Sequence, residues 1–467
     1  MNTKYFDLIN QTFYFPQDEF TLDDSNNLHF HQIDLMKLVE QYGTPLKFTY
    51  LPAISNNINR AKSWFSKSME KLGYEGDYFY CYCTKSSHFK FIMDEAFKNK
   101  IHIETSSAYD INIVEKLIEE GKINKNTFIV CNGFKRDQYI DNVAGLINSG
   151  HKNTIPVIDN FEELDLLLDK TDKKFKIGIR IAAEEEPKFE FYTSRLGIGY
   201  KNIVPFYRKQ IQENKQLELK MLHFFINTGI RDTAYYWNEL LKCLKVYIAL
   251  KKECPTLDSL NIGGGFPIKT SLAFNYDYQY MVEEILNQIK IACDDADVPV
   301  PHIFTEFGSF TVGESGGAIY EVLYQKQQND REKWNMIDSS FITTLPDTWA
   351  INRRFVMMAI NRWNDTYERV LLGGMTCDSD DYYNSEQHMN AVYLPKYNKD
   401  KPLYIGFFNT GAYQETIGGF GGIHHCLIPQ PKHILIDRDN NGILSTELFS
   451  KEQSAEDVLK ILGYNKK

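Results

Sequence analysis

Short apolar runs alternate along the chain with longer stretches whose apolar residues recur every three or four positions. Eight of the short runs, at 78–83, 101–104, 127–131, 155–158, 175–182, 219–226, 259–263 and 302–305, read as buried strands. A helical pattern separates most of them. In 107–120, Ile111, Val114, Leu117 and Ile118 fall at helix spacing, and Gly121 supplies a C-terminal stop. The segments 136–149 (Tyr139, Ile140, Val143, Leu146, Ile147) and 232–251 (Trp237, Leu240, Leu241, Leu244, Ile248) repeat that arrangement. A short strand at 48–50 and a helix near 54–72, stopped by Gly73, precede the series. Eight βα units in succession predict an α/β fold, a parallel (β/α)8 barrel, over residues 46–309. Beyond residue 310 the alternation ceases, and the runs 318–323, 356–360, 403–408 and 433–436 read as strands joined by turns. They predict a second, mostly antiparallel β domain over 310–467. Residues 1–45, with a short helical pattern from Ile33 to Tyr42, are expected to complete it.

Composition narrows the function. With 467 residues, 43% of them hydrophobic and 24% charged, the chain can bury a large core. Its 52 basic residues against 62 acidic ones give a charge of −10, which repels a nucleic-acid backbone on average. The eight cysteines (81, 83, 131, 243, 254, 293, 377, 426) form no CxxC pair and no His/Cys spacing of zinc type, so no metal is expected. That usage fits a reducing compartment. The first residues carry no basic segment leading into an apolar core, and no run approaches the roughly 18 apolar residues of a membrane span. The expectation is a cytoplasmic protein without membrane or nucleic-acid partners. The pair His424-His425 reads as surface, Glu184-Glu185-Glu186-Pro187 as a solvated loop, and Gly418-Gly419-Phe420-Gly421-Gly422 as a glycine-rich turn that follows no clear strand.

A barrel collects its chemistry at the C-terminal ends of its strands. There the chain places Lys85, Glu104-Thr105, Cys131-Asn132-Gly133, Asp159-Asn160, Arg180, His223 with Asn227-Thr228, Gly263-Gly264-Gly265 and Glu306. A single lysine past a strand is ordinarily solvated, and three glycines are ordinarily a tight turn. Their convergence on one rim is the stronger observation. Glycine N–H groups can approach an anion without Cβ obstruction, beyond the strand where barrels commonly hold phosphate. A lysine, a glycine loop and a carboxylate together suggest a phosphorylated aldehyde, pyridoxal 5'-phosphate. Lys85 would form the Schiff base, Gly263, Gly264 and Gly265 would hold the phosphate, and Glu306 would keep the pyridine nitrogen protonated.

The stretches Tyr82-Cys83-Thr84-Lys85-Ser86, Gly263-Gly264-Gly265 and Thr305-Glu306-Phe307-Gly308 resemble the barrel-type (alanine racemase-like, fold type III) pyridoxal-phosphate decarboxylases. That family includes ornithine, diaminopimelate and biosynthetic arginine decarboxylases. The resemblance covers roughly residues 40–440. Val130-Cys131-Asn132-Gly133-Phe134-Lys135, Leu345-Pro346-Asp347-Thr348-Trp349-Ala350-Ile351, Thr376-Cys377-Asp378-Ser379-Asp380 and Gly411-Ala412-Tyr413-Gln414-Glu415 look specifically like the arginine branch. The resemblance implies a homodimer or higher homo-oligomer in which Cys377 and Asp378 enter the partner subunit's site. There Cys377 returns a proton and Asp378 meets the distal charge of a small cationic amino acid, while Tyr413 lies by the phosphate.

Three features depart from the family pattern. Phe225 stands where a cofactor-stacking histidine is usual, with Thr228 at the phosphate-binding serine position; Ser309 replaces an arginine; and the chain is short for the arginine branch's inserted helical segment and C-terminal extension. The expected activity is decarboxylation of arginine to agmatine, in polyamine biosynthesis. The alternatives are ornithine or another diamino acid as substrate, or a non-catalytic homologue that binds a regulatory partner.

Overall fold

The computed structural model describes residues 3–13, 15–184, 194–383, 392–416 and 425–464. Glu185-Glu186-Pro187, the glycine-rich stretch 418–422 and His424 lie outside them. The chain divides into two compact units, Ser55–Pro267 with Tyr276–Thr311, and Met1–Ile54 with Ile268–Asn275 and Val312–Lys467. No described helix is long and apolar enough to cross a membrane.

The first unit is the barrel. Its eight strands are Tyr78–Cys83, His102–Thr105, Ile129–Cys131, Thr154–Ile158, Phe175–Ala182, Leu217–His223, Ser259–Asn261 and His302–Phe307. Every neighbouring pair is parallel. The eighth pairs back onto the first, with Thr305 opposite Tyr80, so the ring is closed. All eight runs legible in the pattern are present. Cys81, Val130, Ile155, Val157, Met221 and Phe304 form an apolar cluster, with Phe79 and Phe128 packed against it. Those last two rings meet edge-on at 4.9 Å. The interior is therefore filled by side chains, and the chemistry is left to the rim.

Helices cover the strands and start where the sequence supplies caps. Ser107 accepts from the Asp110 N–H at the start of Ala108–Glu119, and Asn160 accepts from Glu162 and Glu163 at the start of Phe161–Leu168. Ile111, Val114 and Leu117 are buried on one face, each worth about 1.5–3 kcal/mol. Behind the rim lies a fully buried ion pair. Lys135 Nζ donates to Glu163 Oε2 at 3.2 Å and to the carbonyls of Gly133 (2.8 Å) and Val157 (2.6 Å). Glu163 in turn accepts from the N–H groups of Lys135 and Asp159. The pair stitches the loop after the third strand to the loop after the fourth.

The second unit is a mostly antiparallel sheet. Gly316–Gln327 is its long central strand, paired with Leu46–Tyr50, Tyr404–Phe408 and Lys333–Ile337. Val356–Ala359 lies beyond Tyr404–Phe408, and Lys432–Arg438 runs parallel to Leu46–Tyr50. A small three-stranded sheet, Phe20–Leu22, Leu28–Phe30 and Ile33–Asp34, adds aromatic rings to the core, where Phe20, Phe30, Phe48 and Phe408 pack together. One expected boundary moves. Leu46–Tyr50, placed at the start of the barrel by its sequence position, belongs to this sheet, so the barrel unit begins at Ser55. All five of its residues are buried, and a strand covered on both faces carries no alternation that says which sheet it joins.

The buried pair makes a stability prediction. Lys135→Met leaves the Glu163 carboxylate buried without its cation, at a cost of about 3–5 kcal/mol. It should lower the urea midpoint, and adding Glu163→Gln should recover part of the loss. A midpoint unchanged in the single variant would show that the pair does not hold the barrel.

Candidate active site

The first strand ends in a turn, Thr84–Ser86, that sets Lys85 at the barrel rim. Its Nζ donates to Glu104 Oε2 at 2.7 Å, from the end of the second strand. Glu104 is fully buried. Asn132, at the end of the third strand, extends one amide to both rim carboxylates: Nδ2 donates to Glu104 Oε1 at 3.0 Å and to Glu306 Oε1 at 2.7 Å. Asn261 Nδ2 adds a second donor to Glu306 Oε1 at 2.6 Å, and His223 Nε2 lies 3.3 Å from Glu306 Oε2. Lys85, Glu104, Asn132 and Glu306 thus form one continuous polar chain across the mouth.

The two carboxyl groups are pushed in opposite directions. Burial opposes ionisation of Glu306, but the charge of His223, its hydrogen bonding and the charge of Lys85 outweigh burial and hold the carboxyl at about 2. Burial raises Glu104 above the ordinary glutamate range; Lys85 opposes that, and the negative charge of Glu306 adds to it. One site therefore contains a permanent anion and a carboxyl with increased proton affinity.

The three glycines pack where side chains cannot. A Cβ on Gly264 would stand 2.1 Å from the Glu306 carbonyl oxygen, and one on Gly263, at φ +68°, would stand 2.8 Å from the Phe224 carbonyl oxygen. The loop is thereby pressed onto the ends of the sixth and eighth strands. Gly263 N–H donates to Asn261 Oδ1 at 2.9 Å, whereas the N–H groups of Gly264 and Gly265 have no protein acceptor among the described residues. Thr228 Oγ1, in the loop that follows strand six, is buried without a hydrogen-bond partner among the described residues. Phe225 leaves 38% of its surface exposed at the mouth, with the Arg180 guanidinium 6.0 Å from its ring centre.

These residues fit pyridoxal phosphate: an amine, a buried anion for a pyridinium, unengaged N–H groups and a hydroxyl for phosphate, and an aromatic face for stacking. Of the residues expected from sequence, the barrel brings together Lys85, Glu306, Gly263, Gly264, Gly265, Phe225 and Thr228. Glu104, Asn132 and His223 were visible only as rim positions, and Asn261 only as part of a strand. The signal that could have found them is a polar side chain embedded in a short apolar strand, as in Ser259–Asn261, which is buried throughout.

Cys377, Asp378 and Tyr413 lie in the second unit. Cys377 is exposed and its loop is anchored by buried Asp381, which accepts from Thr376 N–H at 3.1 Å and Thr376 Oγ1 at 2.7 Å. Tyr413 takes φ +69°, an uncommon conformation for a bulky residue.

Comparison with known proteins gives the same chemistry. The model of the pyridoxal-dependent decarboxylase pyridoxal-binding domain matches residues 56–313. The biosynthetic arginine decarboxylase of Prochlorococcus marinus (strain MIT 9215) is 22% identical, over 93% of this chain and 85% of its own length. Arginine decarboxylase 1, chloroplastic, of Arabidopsis thaliana is 23% identical over 94% of this chain and 78% of its own. Among solved structures, the biosynthetic arginine decarboxylase of Campylobacter jejuni matches with a TM-score of 0.82 at 19% identity, covering 99% of this chain and 91% of that one. Diaminopimelate decarboxylase of M. jannaschii matches with a TM-score of 0.78 at 19% identity, covering 95% and 97%. With a lysine, a glycine loop and a buried carboxylate meeting at the mouth of a closed barrel, and the family model spanning that barrel, the chain belongs to the pyridoxal-dependent decarboxylases.

Proposed function

We propose that the chain converts L-arginine to agmatine and carbon dioxide. The observation that carries the chemistry is the hydrogen-bonded chain from Lys85 through Glu104 and Asn132 to Glu306. The choice of arginine is supported by the relatives named for that substrate, which match over 93–94% of the chain.

Pyridoxal phosphate, when bound, supplies an aldehyde for amines and a ring that accepts an electron pair from the α-carbon. Lys85 contributes the amine that anchors it and that the substrate amine displaces. The Gly264 and Gly265 N–H groups and the Thr228 hydroxyl, left unengaged by the described residues, would bind the phosphate, which supports the reading despite Ser309; Gly263, expected to share that part, instead gives its N–H to Asn261 and shapes the loop. Phe225 offers its exposed ring as a stacking surface. Glu306, anionic at working pH, keeps a proton on the pyridine nitrogen. Asp378 pairs with the guanidinium, and Cys377 returns a proton to the α-carbon after carbon dioxide leaves. Both act in the site of a second copy, so the working unit is at least a dimer, and we place it in the cytoplasm.

Lys85→Ala should abolish borohydride-reducible cofactor attachment together with turnover; full activity in that variant would refute the scheme. Agmatine should be the amine released from an amino-acid mixture, identified by mass spectrometry, and release of putrescine alone would overturn the choice of arginine. Asp378→Asn should raise the KM for arginine at least about tenfold, a loss of ~1.4 kcal/mol. It should have less effect on uncharged citrulline, and an unchanged preference between the two would remove Asp378 from the substrate contact.

The charge on Glu306 has its own signature. Its folded value of about 2 lies below an unfolded value of roughly 4.3, so ionisation stabilises the fold. That contribution is complete above roughly pH 5 and is lost as pH falls through about 2. Glu306→Gln should therefore lower the urea midpoint most at neutral pH, with the deficit shrinking below about pH 4. A deficit constant with pH would contradict the depressed value.

A further inference from the structure

Six of the eight cysteines are buried; the two exposed ones, Cys377 and Cys426, stand together. Their sulfur atoms are 3.3 Å apart, and Cys426 Sγ lies 3.2 Å from His425 Nδ1. We propose that Cys377, Cys426 and His425 form a binding site for a thiophilic divalent cation of the zinc type. Occupancy of that site withdraws Cys377 from turnover, a consequence that rests on the proton-donor role given to Cys377 above.

Three arguments carry the site. The first is geometric. Tetrahedral zinc, with Zn–S of about 2.3 Å and Zn–N of about 2.0–2.1 Å, places two sulfurs roughly 3.8 Å apart and sulfur and nitrogen roughly 3.5 Å apart. The three donor atoms already lie within 4.8 Å of one another, each adjacent pair within about half an ångström of those separations, so side-chain adjustment alone can close the site. The second concerns the histidine. While Nδ1 lies 3.2 Å from Cys426 Sγ, Nε2 faces Asp378 Oδ2 at 3.7 Å, outside hydrogen-bond distance but near enough for a small ring rotation to give the carboxylate–histidine–metal arrangement that orients a ligating imidazole. The third is preorganisation. Asp381 holds the Cys377 loop through Thr376, and also accepts from Ser340 Oγ at 3.1 Å and Phe341 N–H at 2.8 Å.

Two thiolates and an imidazole select zinc, cadmium or cobalt over magnesium or calcium. Three protein ligands leave a fourth position for water, and the exposure of both sulfurs makes the ion exchangeable rather than structural. Sequence spacing could not show this, because residue 377 and the pair 425–426 meet only through the fold.

The test is cobalt(II) titration of the full-length, cofactor-loaded protein in metal-free buffer. Sulfur-to-cobalt charge-transfer absorption should grow in the near ultraviolet, disappear on adding zinc and persist in excess magnesium. Cys426→Ser and His425→Ala should each weaken cobalt binding at least about tenfold. Cys426→Ser should keep turnover in metal-free buffer within about twofold and lose zinc inhibition by at least about tenfold. Absence of the absorption, or its full retention in Cys426→Ser, would overturn the site. Cobalt absorption as expected, with zinc leaving parent turnover untouched, would overturn the role given to Cys377 while retaining the metal site.

Discussion

The mouth of the barrel is organised around one carboxylate, Glu306, that stays ionised inside protein. Burying such a group carries an effective penalty of several kcal/mol. Hydrogen bonds to a charged group return about 1.5–3 kcal/mol each. Glu306 receives two, from Asn132 and Asn261, and has His223 against its other oxygen. These contacts offset the penalty, and the carboxyl stays anionic at about 2. The glycine loop is tied into the same structure: Asn261, which donates to Glu306, accepts from Gly263 N–H, and Gly264 packs against the Glu306 carbonyl where no side chain fits. The Glu306 carboxylate and the glycine loop are therefore positioned by one set of contacts, joined through the Asn261 side chain.

Glu104 completes the logic with the opposite shift. An ammonium must lose a proton before it can act as a nucleophile, the part proposed for Lys85, and a carboxylate oxygen that accepts from its Nζ lies 2.7 Å away. Burial increases the proton affinity of that acceptor. Asn132 touches both carboxylates and keeps the two negative groups at fixed separation. The same polar chain thus holds one proton site empty and makes the other easier to fill.

The barrel was legible because helical patterns separate most of the short apolar runs, and polar or glycine residues stand at or just past the ends of those runs. Lys85, Glu306 and the glycines stood out because they follow strong apolar runs. Their supporting partners did not. Asn132 reaches Glu306 from 174 positions away, and its local sequence, though it marks a rim position, does not say which side chain it meets. The strand Leu46–Tyr50 was misplaced for a related reason: its five residues are buried on both faces, and only pairing with Gly316–Gln327 and Lys432–Arg438 says which sheet it joins.

The stretches that resemble the arginine branch resolve into anchors as well as chemistry. In 130–135, Asn132 reaches the carboxylates while Lys135 is buried against Glu163. Asp347 of the 345–351 stretch and Gln414 of the 411–415 stretch bond reciprocally: Gln414 Nε2 donates to Asp347 Oδ2 at 2.9 Å, and Asp347 N–H donates to Gln414 Oε1 at 3.3 Å. Arg353 adds a cation to the same carboxylate. Two stretches that look like separate marks of one branch are thus halves of a single contact, which fixes the backbone beside Tyr413. Thr376 plays the corresponding part for Cys377, through Asp381. A short motif in this chain therefore combines a group proposed for the site with a neighbour that holds it still, and a sequence match alone does not say which residue is which.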